Sequence, residues 1–148
     1  MLSIEIAKSS DAEVIFKLIY ELAVFEKAPE KVTNSSAQIL KDGFTENPLF
    51  VCFVARLDNQ VVGISLNYNR YSTWIGRCLY LEDLIITESH RGKGIGKALF
   101  LYTIDYAKQN DYKRLNWQVL DWNTDAIDFY KALNAQTDGE WLNAYIDL

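Results

Sequence analysis

The spacing of apolar residues along the chain predicts strands and helices in a regular order. Apolar and polar residues alternate in SIEIAK, near the start, and predict a first strand. The next segment carries Val14, Leu18 and Leu22 at helical spacing, and the capping-box pair Ser10 and Glu13 predicts where this helix begins. A shorter helix in SSAQILKDGF is followed by three predicted strands, LFVCFVARL, QVVGISLNY and RCLYLEDLII, with the turn DN between the first two. The remaining predicted elements are a helix over 95–110, a strand in RLNWQVL, a helix in NTDAIDFYKAL and a final strand in EWLNAYIDL.

This order predicts a mixed α/β fold, with a sheet that is antiparallel in its first part and parallel in its second, flanked by helices. The chain has 148 residues, of which 49% are hydrophobic and only two are proline. We therefore expect one compact domain spanning residues 1–148.

Composition and charge exclude several classes of partner. The net charge of −5 argues against nucleic acid, because phosphate contacts require a basic face. No apolar run is long enough to span a membrane, and the first residues lack a signal-peptide pattern. Cys52 and Cys78 lie in strand-like runs without metal-ligand spacing, so we expect reduced thiols, no metal and a cytoplasmic protein.

The segment RGKGIGK, residues 91–97, is the densest basic stretch of this acidic chain. Gly92, Gly94 and Gly96 lack Cβ atoms, so their backbone can curl tightly and its N–H groups can approach an anion. A helix that begins near Gly94 adds unpaired N–H groups and partial positive charge, while Arg91 and Lys93 add full charges. The pattern predicts a site for a diphosphate.

Two familiar phosphate motifs do not fit this segment. A Walker loop requires glycine and serine or threonine where Arg91 and Ala98 stand, and a dinucleotide fingerprint requires the spacing G-x-G-x-x-G instead of G-x-G-x-G. A flexible surface turn, charged only for solubility, remains the alternative to a diphosphate site.

The same residues carry a family resemblance. RGKGIGKALF after YLEDLII resembles the acetyl-coenzyme A motif of the GNAT acetyltransferases, Arg/Gln-x-x-Gly-x-Gly/Ala. The segments LIYELAVFEKAPEKV, DGFTENPLF, YSTWIGRCLYLEDL and VLDWNTDAIDFYKALNAQ are similar, in order and spacing, to the diamine (spermidine/spermine) acetyltransferases, and FEK, YSTW and VLDWN look most like their thialysine N-ε-acetyltransferase branch. The resemblance implies a GNAT-like fold with a twisted central sheet, acetyl-CoA as co-substrate, a small amine as acceptor and a homodimer with sites near the subunit interface.

The resemblance also implies which residues bind the cofactor. Three strand residues would pair with pantetheine through their backbone, the basic turn would bind the diphosphate, and the start of the next helix would touch the cofactor. These residues are Leu84, Ile85 and Ile86; Arg91, Gly92, Lys93, Gly94, Ile95, Gly96 and Lys97; and Asn123, Thr124, Asp125 and Ala126.

Acetyl transfer to an amine also requires proton transfer. An amine with pKa near 10.4 is unprotonated in only roughly one molecule in 2,500 at pH 7, so a base has to accept its proton. Strand alternation places Glu82 and Asp83 on opposite faces, and the resemblance selects Glu82 as the base, acting through water. The alternative for Glu82 is an exposed acid that balances Arg77. Tyr130 matches the family's general acid, although an aromatic residue on an amphipathic helix is otherwise usually a core residue.

Four side chains are candidates for the acceptor pocket. Glu26 and Trp74 match acceptor-lining positions of the family, and Phe25 and Trp117 are weaker candidates that packing would also explain. Ser72 stands where the polyamine-acetylating members have an aspartate, which favours a thialysine-like amino acid over a polyamine. Other functions that stay open at this stage are a protein or peptide N-acetyltransferase, a non-catalytic acyl-CoA-binding domain and a nucleotide-binding module.

Overall fold

The computed structural model describes all residues from 1 to 148. By their internal contacts the residues form two compact units, Met1–Trp117 and Gln118–Leu148. The first unit contains the sheet and three α-helices, and the second contains one α-helix. None of these helices has the length and apolar character needed to cross a membrane. The assignment of the whole chain to one domain stays a prediction.

The elements follow the order that the apolar spacing predicts, up to the last helix. They are β1 (Leu2–Ile6), α1 (Ala12–Phe25), α2 (Ser36–Gly43), β2 (Val51–Leu57), β3 (Gln60–Ser72), β4 (Gly76–Ile86), α3 (Ile95–Gln109), β5 (Arg114–Trp117) and α4 (Thr124–Ala132). Single-turn 3₁₀ segments lie at Ser9–Asp11, Pro29–Lys31 and Glu88–His90.

The sheet has five strands in the spatial order β1-β2-β3-β4-β5. The pairs β1–β2, β2–β3 and β3–β4 are antiparallel, and β5 is parallel to β4. The parallel pair is connected through α3, as a parallel connection requires. The predicted mixed α/β fold with its antiparallel and parallel parts is therefore confirmed.

Each face of the sheet is covered by helices. The face toward α1 and α2 buries one cluster of apolar side chains, formed by Cys52, Val54, Ile64, Leu66 and Ile85 with Ile15, Leu18 and Ile39. The face toward α3 buries a second cluster, formed by Phe53, Ala55 and Val62 with Ile95 and Leu99. Because both faces are covered, the buried positions of β2 and β3 are consecutive, over 52–55 and 62–67, instead of alternating.

A β-bulge interrupts β4 at Glu82. Leu66 of β3 lies opposite Asp83, and the next residue, Asn67, lies opposite Leu81. Directly opposite residues share a face, and successive residues of β3 point to opposite faces, so Leu81 and Asp83 lie on opposite faces although they are two positions apart. Glu82 is the extra residue, as in other bulges. The simple alternation from which we expected Glu82 and Asp83 to point to opposite faces therefore does not hold at this position.

The first helix begins at Ala12, two residues after the predicted capping residue Ser10. The buried carboxylate of Asp11 accepts a hydrogen bond from the Lys8 N–H at 2.8 Å and one from Arg56 Nη2 at 2.7 Å. The start of α1 is thus tied to β2 by an ion pair between residues that are far apart in sequence. The local capping pattern does not contain this contact.

The final strand predicted in EWLNAYIDL does not form. Residues after α4 belong to no strand, and their apolar side chains are exposed, with Trp141 at 79%, Tyr145 at 81% and Ile146 at 86%. Alternating apolar residues favour a strand only when a neighbouring strand pairs with the backbone and one face is covered. In this chain the segment has neither.

Candidate active site

The glycine turn between β4 and α3 adopts a backbone that requires glycine at two positions. Gly92 and Gly94 have φ angles of 73° and 78°, in the left-handed region, and Gly94 is the N-cap of α3. Gly96 lies inside the helix, where an added Cβ would make an ordinary 3.6 Å contact with Ile86. The turn is therefore shaped by Gly92 and Gly94.

Six consecutive backbone N–H groups, from Gly92 to Lys97, have no hydrogen-bond acceptor in the protein. The first N–H group of α3 that has an acceptor is that of Ala98, which donates to Gly94 O at 3.1 Å. Unpaired N–H groups at the start of a helix bind anions well, because they are hydrogen-bond donors at the positive end of the helix dipole. The side chain of Ile95 is buried in the core, so this residue can offer only its N–H group. The predicted diphosphate site thus has the required donors.

The basic side chains of the turn point in different directions. Lys97 is exposed, and Lys93 Nζ donates to Ser89 O at 3.3 Å. Arg91 turns towards α1: its guanidinium lies 5.4 Å from the centre of the Phe25 ring and 3.6 Å from Glu21 Oε1, and its Nε donates to Ile86 O at 2.8 Å. Arg91 thus lies between α1 and the end of β4.

One edge of β4 is open next to the glycine turn. Leu81 is the last residue of β4 that pairs with β5, whereas the pairing with β3 continues to Ile86. The Thr87 N–H donates to Val62 O of β3, and backbone polar groups of a strand alternate between its two neighbours. Leu84 and Ile86 therefore direct their N–H and C=O groups to the open edge, while those of Ile85 face β3. Ile86 O already accepts Arg91 Nε, so the groups left for a ligand at this edge are those of Leu84 and the N–H of Ile86. Pairing of pantetheine with Leu84, Ile85 and Ile86 stays a prediction.

Beside the open edge, a group of acidic and tyrosine side chains lies on the face of the sheet that α1 covers. Glu82 is exposed and accepts a hydrogen bond from the Tyr68 hydroxyl at 3.1 Å. Tyr68 is two residues from Leu66 on β3, so it shares a face with Asp83, and its ring lies 5.2 Å from that of Tyr80. The hydrogen bond from Tyr68 therefore holds the Glu82 carboxylate on the same face of the sheet as Asp83.

The pKa values show that three carboxylates influence one another. Burial, followed by the charges of Glu82 and Glu26, raises the pKa of Asp83 to about 7. Partial burial and the charge of Glu82 also raise the pKa of Glu26. Burial and the charge of Glu82 raise the pKa of Tyr68 to about 12. Excess negative charge with aromatic side chains is a suitable environment for an ammonium group. Arg77 does not balance Glu82, because it stacks on Tyr112 at 3.9 Å and donates to Asn110 O.

The four candidates for the acceptor pocket are not all brought together. Phe25 and Glu26 lie at the end of α1, and the charge of Glu26 acts on Asp83. Trp74 is 91% exposed in the β3–β4 hairpin. Gly76, where β4 begins, is already about 20 Å from Glu82 at the rise of an extended strand, and Trp74 lies beyond Gly76. Trp117 packs its ring edge-on against Phe100, with centroids 5.2 Å apart. Of the four, Glu26 is the one that interacts electrostatically with Glu82 and Asp83. Phe25 precedes it on α1 and lies near Arg91, and Trp117 is opposite Leu81 in the sheet with its ring against Phe100.

The unit formed by residues 118–148 contains the remaining predicted site residues. Asn123 caps α4, as predicted, with its side-chain oxygen accepting the Ala126 N–H at 3.3 Å, and Thr124 and Asp125 form the first turn. Tyr130 lies on α4, and burial raises the pKa of its hydroxyl to about 12. Such a hydroxyl stays protonated at neutral pH and can serve as a proton donor.

Sequence reasoning missed Tyr68 and Glu21. Tyr68 reaches Glu82 because it lies opposite Tyr80, and that position follows only from the register between β3 and β4. Glu21 is a charged residue on an amphipathic helix, a pattern that most often marks a solvated face, so no local signal distinguishes it.

Comparison with known proteins identifies the family. Residues 16–135 match the acetyltransferase (GNAT) family. The chain is 40% identical to a thialysine N-ε-acetyltransferase of Mus musculus, over 93% of this chain and 87% of that protein. It is 32% identical to a spermidine/spermine N(1)-acetyltransferase-like protein of Homo sapiens, over 91% of this chain and 21% of that protein.

The fold is also similar to a solved structure. An aminoglycoside acetyltransferase from an uncultured soil metagenomic sample superposes with a TM-score of 0.81 and 22% identity, covering 99% of this chain and 96% of that one. This similarity concerns the fold, whereas the family match covers most of the sequence. The chain therefore belongs to the GNAT family of acetyltransferases and is an acyltransferase enzyme.

Proposed function

We propose that this enzyme transfers an acetyl group from acetyl-CoA to the primary amine of a small cationic acceptor. The observation that carries the proposal is the arrangement along β4 and the turn after it. Glu82 and Asp83 place negative charge on one face, Leu84 and Ile86 direct backbone groups to an open edge, and the unpaired N–H groups begin at Gly92. An ammonium site, a pantetheine-binding edge and a diphosphate site thus follow one another along a short segment of chain.

The reaction is a direct attack of the amine nitrogen on the thioester carbonyl. Glu82 accepts a proton from the acceptor's ammonium group through water, which leaves the nitrogen lone pair free to form the C–N bond. The C–S bond then breaks, and the hydroxyl of Tyr130 donates a proton to the departing thiolate. The nitrogen of the tetrahedral intermediate loses its second proton to solvent as the amide forms, so the ammonium group gives up two protons in all. One of them restores the Tyr130 hydroxyl through solvent and the other is released, and the products are the acetamide, coenzyme A and one proton. No acetyl-enzyme forms, because neither buried cysteine is paired with a histidine.

The acceptor that we propose is a thialysine-like amino acid, with a polyamine as the alternative within the same class. The Mus musculus relative is named for thialysine and the Homo sapiens relative for spermidine and spermine. Ser72 favours the amino acid, because it supplies no charge for a second ammonium group. Its hydroxyl accepts the N–H groups of Trp74 and Ile75, each at 3.3 Å, and so stabilises the hairpin turn.

We further propose that the enzyme is a homodimer in which Trp74 lines the acceptor site of the other subunit. Trp74 is too far along the strand to reach Glu82 of its own chain, so its role at the acceptor site requires a second copy. The solution mass measured by light scattering should be twice that of the 17.0 kDa chain. A protein that is only monomeric while fully active would contradict this arrangement.

Acetyl-CoA turnover, followed as thiol release, tests the function. We expect release with thialysine above that with lysine, spermidine or putrescine, and little with a lysine-containing peptide. Preference for the peptide would favour a protein N-acetyltransferase. Binding of coenzyme A without release with any amine would favour an acyl-CoA-binding domain.

A further inference from the structure

Glu21 connects α1 to the turn that precedes the glycine segment, and neither the motifs nor the proposed mechanism uses it. Its Oε1 accepts the Glu88 N–H at 2.9 Å, and both of its oxygens accept the Thr87 hydroxyl, at 3.2 Å and 3.0 Å. Arg91 Nη2 lies 3.6 Å from the same Oε1. The carboxylate is partly buried, with 29% of the side chain exposed. One side chain of α1 therefore contacts three residues of the Thr87–Arg91 turn.

The position of this turn sets the position of the unpaired N–H groups. Gly92 follows Arg91 directly, and a Cβ on Gly92 or Gly94 would meet no atom within 4 Å, so no other part of the protein packs on that side of these two residues. On the other side, α3 begins only at Ile95. The orientation of the N–H groups of the glycine segment thus depends on the anchors before and after it.

Glu21 also determines where the guanidinium of Arg91 lies. Arg91 donates to Ile86 O at the open edge of β4 and stacks near Phe25, and the Glu21 carboxylate neutralises it in this position. Without that charge, Arg91 would keep only its bond to Ile86 O and its contact with the Phe25 ring. Hydrogen bonds to a charged acceptor are the stronger ones, so the carboxylate is well suited to hold the turn.

We propose that Glu21 is a positioning residue for acetyl-CoA, which holds the Thr87–Arg91 turn and Arg91 so that the N–H groups of Gly92–Lys97 are preorganised for the diphosphate. This role rests on the proposed use of acetyl-CoA. Preorganisation lowers the cost of binding, so its loss weakens affinity without changing the reacting groups.

Glu21→Gln tests the role, because glutamine keeps the size of the side chain and removes its charge. We expect the Kd for coenzyme A, measured by calorimetry, to rise about tenfold, in line with the loss of hydrogen bonds to a charged group. The KM for acetyl-CoA should rise by a similar factor, while kcat at saturating acetyl-CoA stays within about twofold, because Glu82 and Tyr130 are untouched. Glu13→Gln, an exposed position on the same helix, is the matched control and should leave both constants unchanged.

A second variant separates positioning from folding. Thr87→Val removes only the hydroxyl that donates to Glu21 and should raise the Kd by about threefold, with a smaller further effect when combined with Glu21→Gln. An unchanged Kd in both variants would overturn the positioning role, as would a fall in kcat with unchanged KM, which indicates a smaller folded fraction. Wild-type protein that fails to bind coenzyme A would overturn the proposed function itself, and the role of Glu21 with it.

Discussion

Replacing Tyr130 by phenylalanine is expected to lower kcat by about 100-fold or more, while coenzyme A still binds with nearly unchanged Kd. The phenol is proposed to protonate the departing thiolate, and positioned proton donors typically contribute about 10²–10⁴-fold. Burial raises the pKa of Tyr130 to about 12, so the hydroxyl carries its proton throughout the neutral range. Single-turnover thiol release at saturating acetyl-CoA and amine measures the chemical step directly.

The control for this variant lies in the same unit of the chain. Tyr145 is 81% exposed, and Tyr145→Phe makes the same chemical change at a position with no assigned role. It should leave turnover unchanged. If Tyr130→Phe releases thiol as fast as the wild type, Tyr130 is not the acid and its burial is a matter of packing.

Replacing Glu82 by glutamine should lower kcat/KM for the amine by about 100-fold at pH 7, with the deficit shrinking as the pH rises. At pH 7 the acceptor is almost entirely protonated, and the variant lacks the group that accepts its proton. Near the pKa of the amine, about 10.4, free amine is abundant and the base matters less. The rate–pH profile of the variant should therefore move to alkaline pH. Glu13→Gln should keep the wild-type profile.

The bulge in β4 makes a second variant necessary. Asp83 lies on the face where Tyr68 holds the Glu82 carboxylate, and the charge of Glu82 is one reason why the pKa of Asp83 is about 7. Removing that charge lowers the pKa of Asp83, so more of it is ionised at neutral pH and can accept a proton in place of Glu82. Glu82→Gln with Asp83→Asn should therefore lose more activity at pH 7 than Glu82→Gln alone. A double variant with the wild-type pH profile would remove both carboxylates from the role of base.

Local patterns determined most of the elements. The spacing of apolar residues predicts the order of strands and helices through α4, since burial on one or both faces imposes that spacing. The turn DN is formed by Asp58 and Asn59, both at positive φ, which short polar side chains tolerate. Asn123 caps α4 because its side-chain oxygen reaches an N–H three residues ahead.

The glycine segment was predictable as a turn with unpaired N–H groups, because glycine at positive φ and the free donors at a helix start are local features. Its binding of a diphosphate stays a prediction. The direction of the Arg91 side chain was not predictable from the sequence. Its partners on α1 lie about 70 positions away in the sequence, and only the packing of α1 against β4 brings them to it. The failure of the final strand has the same origin, since no pattern within EWLNAYIDL reveals whether a neighbouring strand pairs with it.

The sequence by itself thus determined the fold class, the glycine turn before α3 and the two adjacent acids on its third predicted strand, β4. Only the tertiary structure decided that a bulge breaks the alternation at Glu82, that Trp74 lies far from Glu82 within one chain and that Glu21 holds the turn before the glycines. The physical reason is the range of the interactions. Backbone conformation and burial periodicity are set by adjacent residues, whereas strand register and contacts between elements depend on groups that the chain brings together only when it folds.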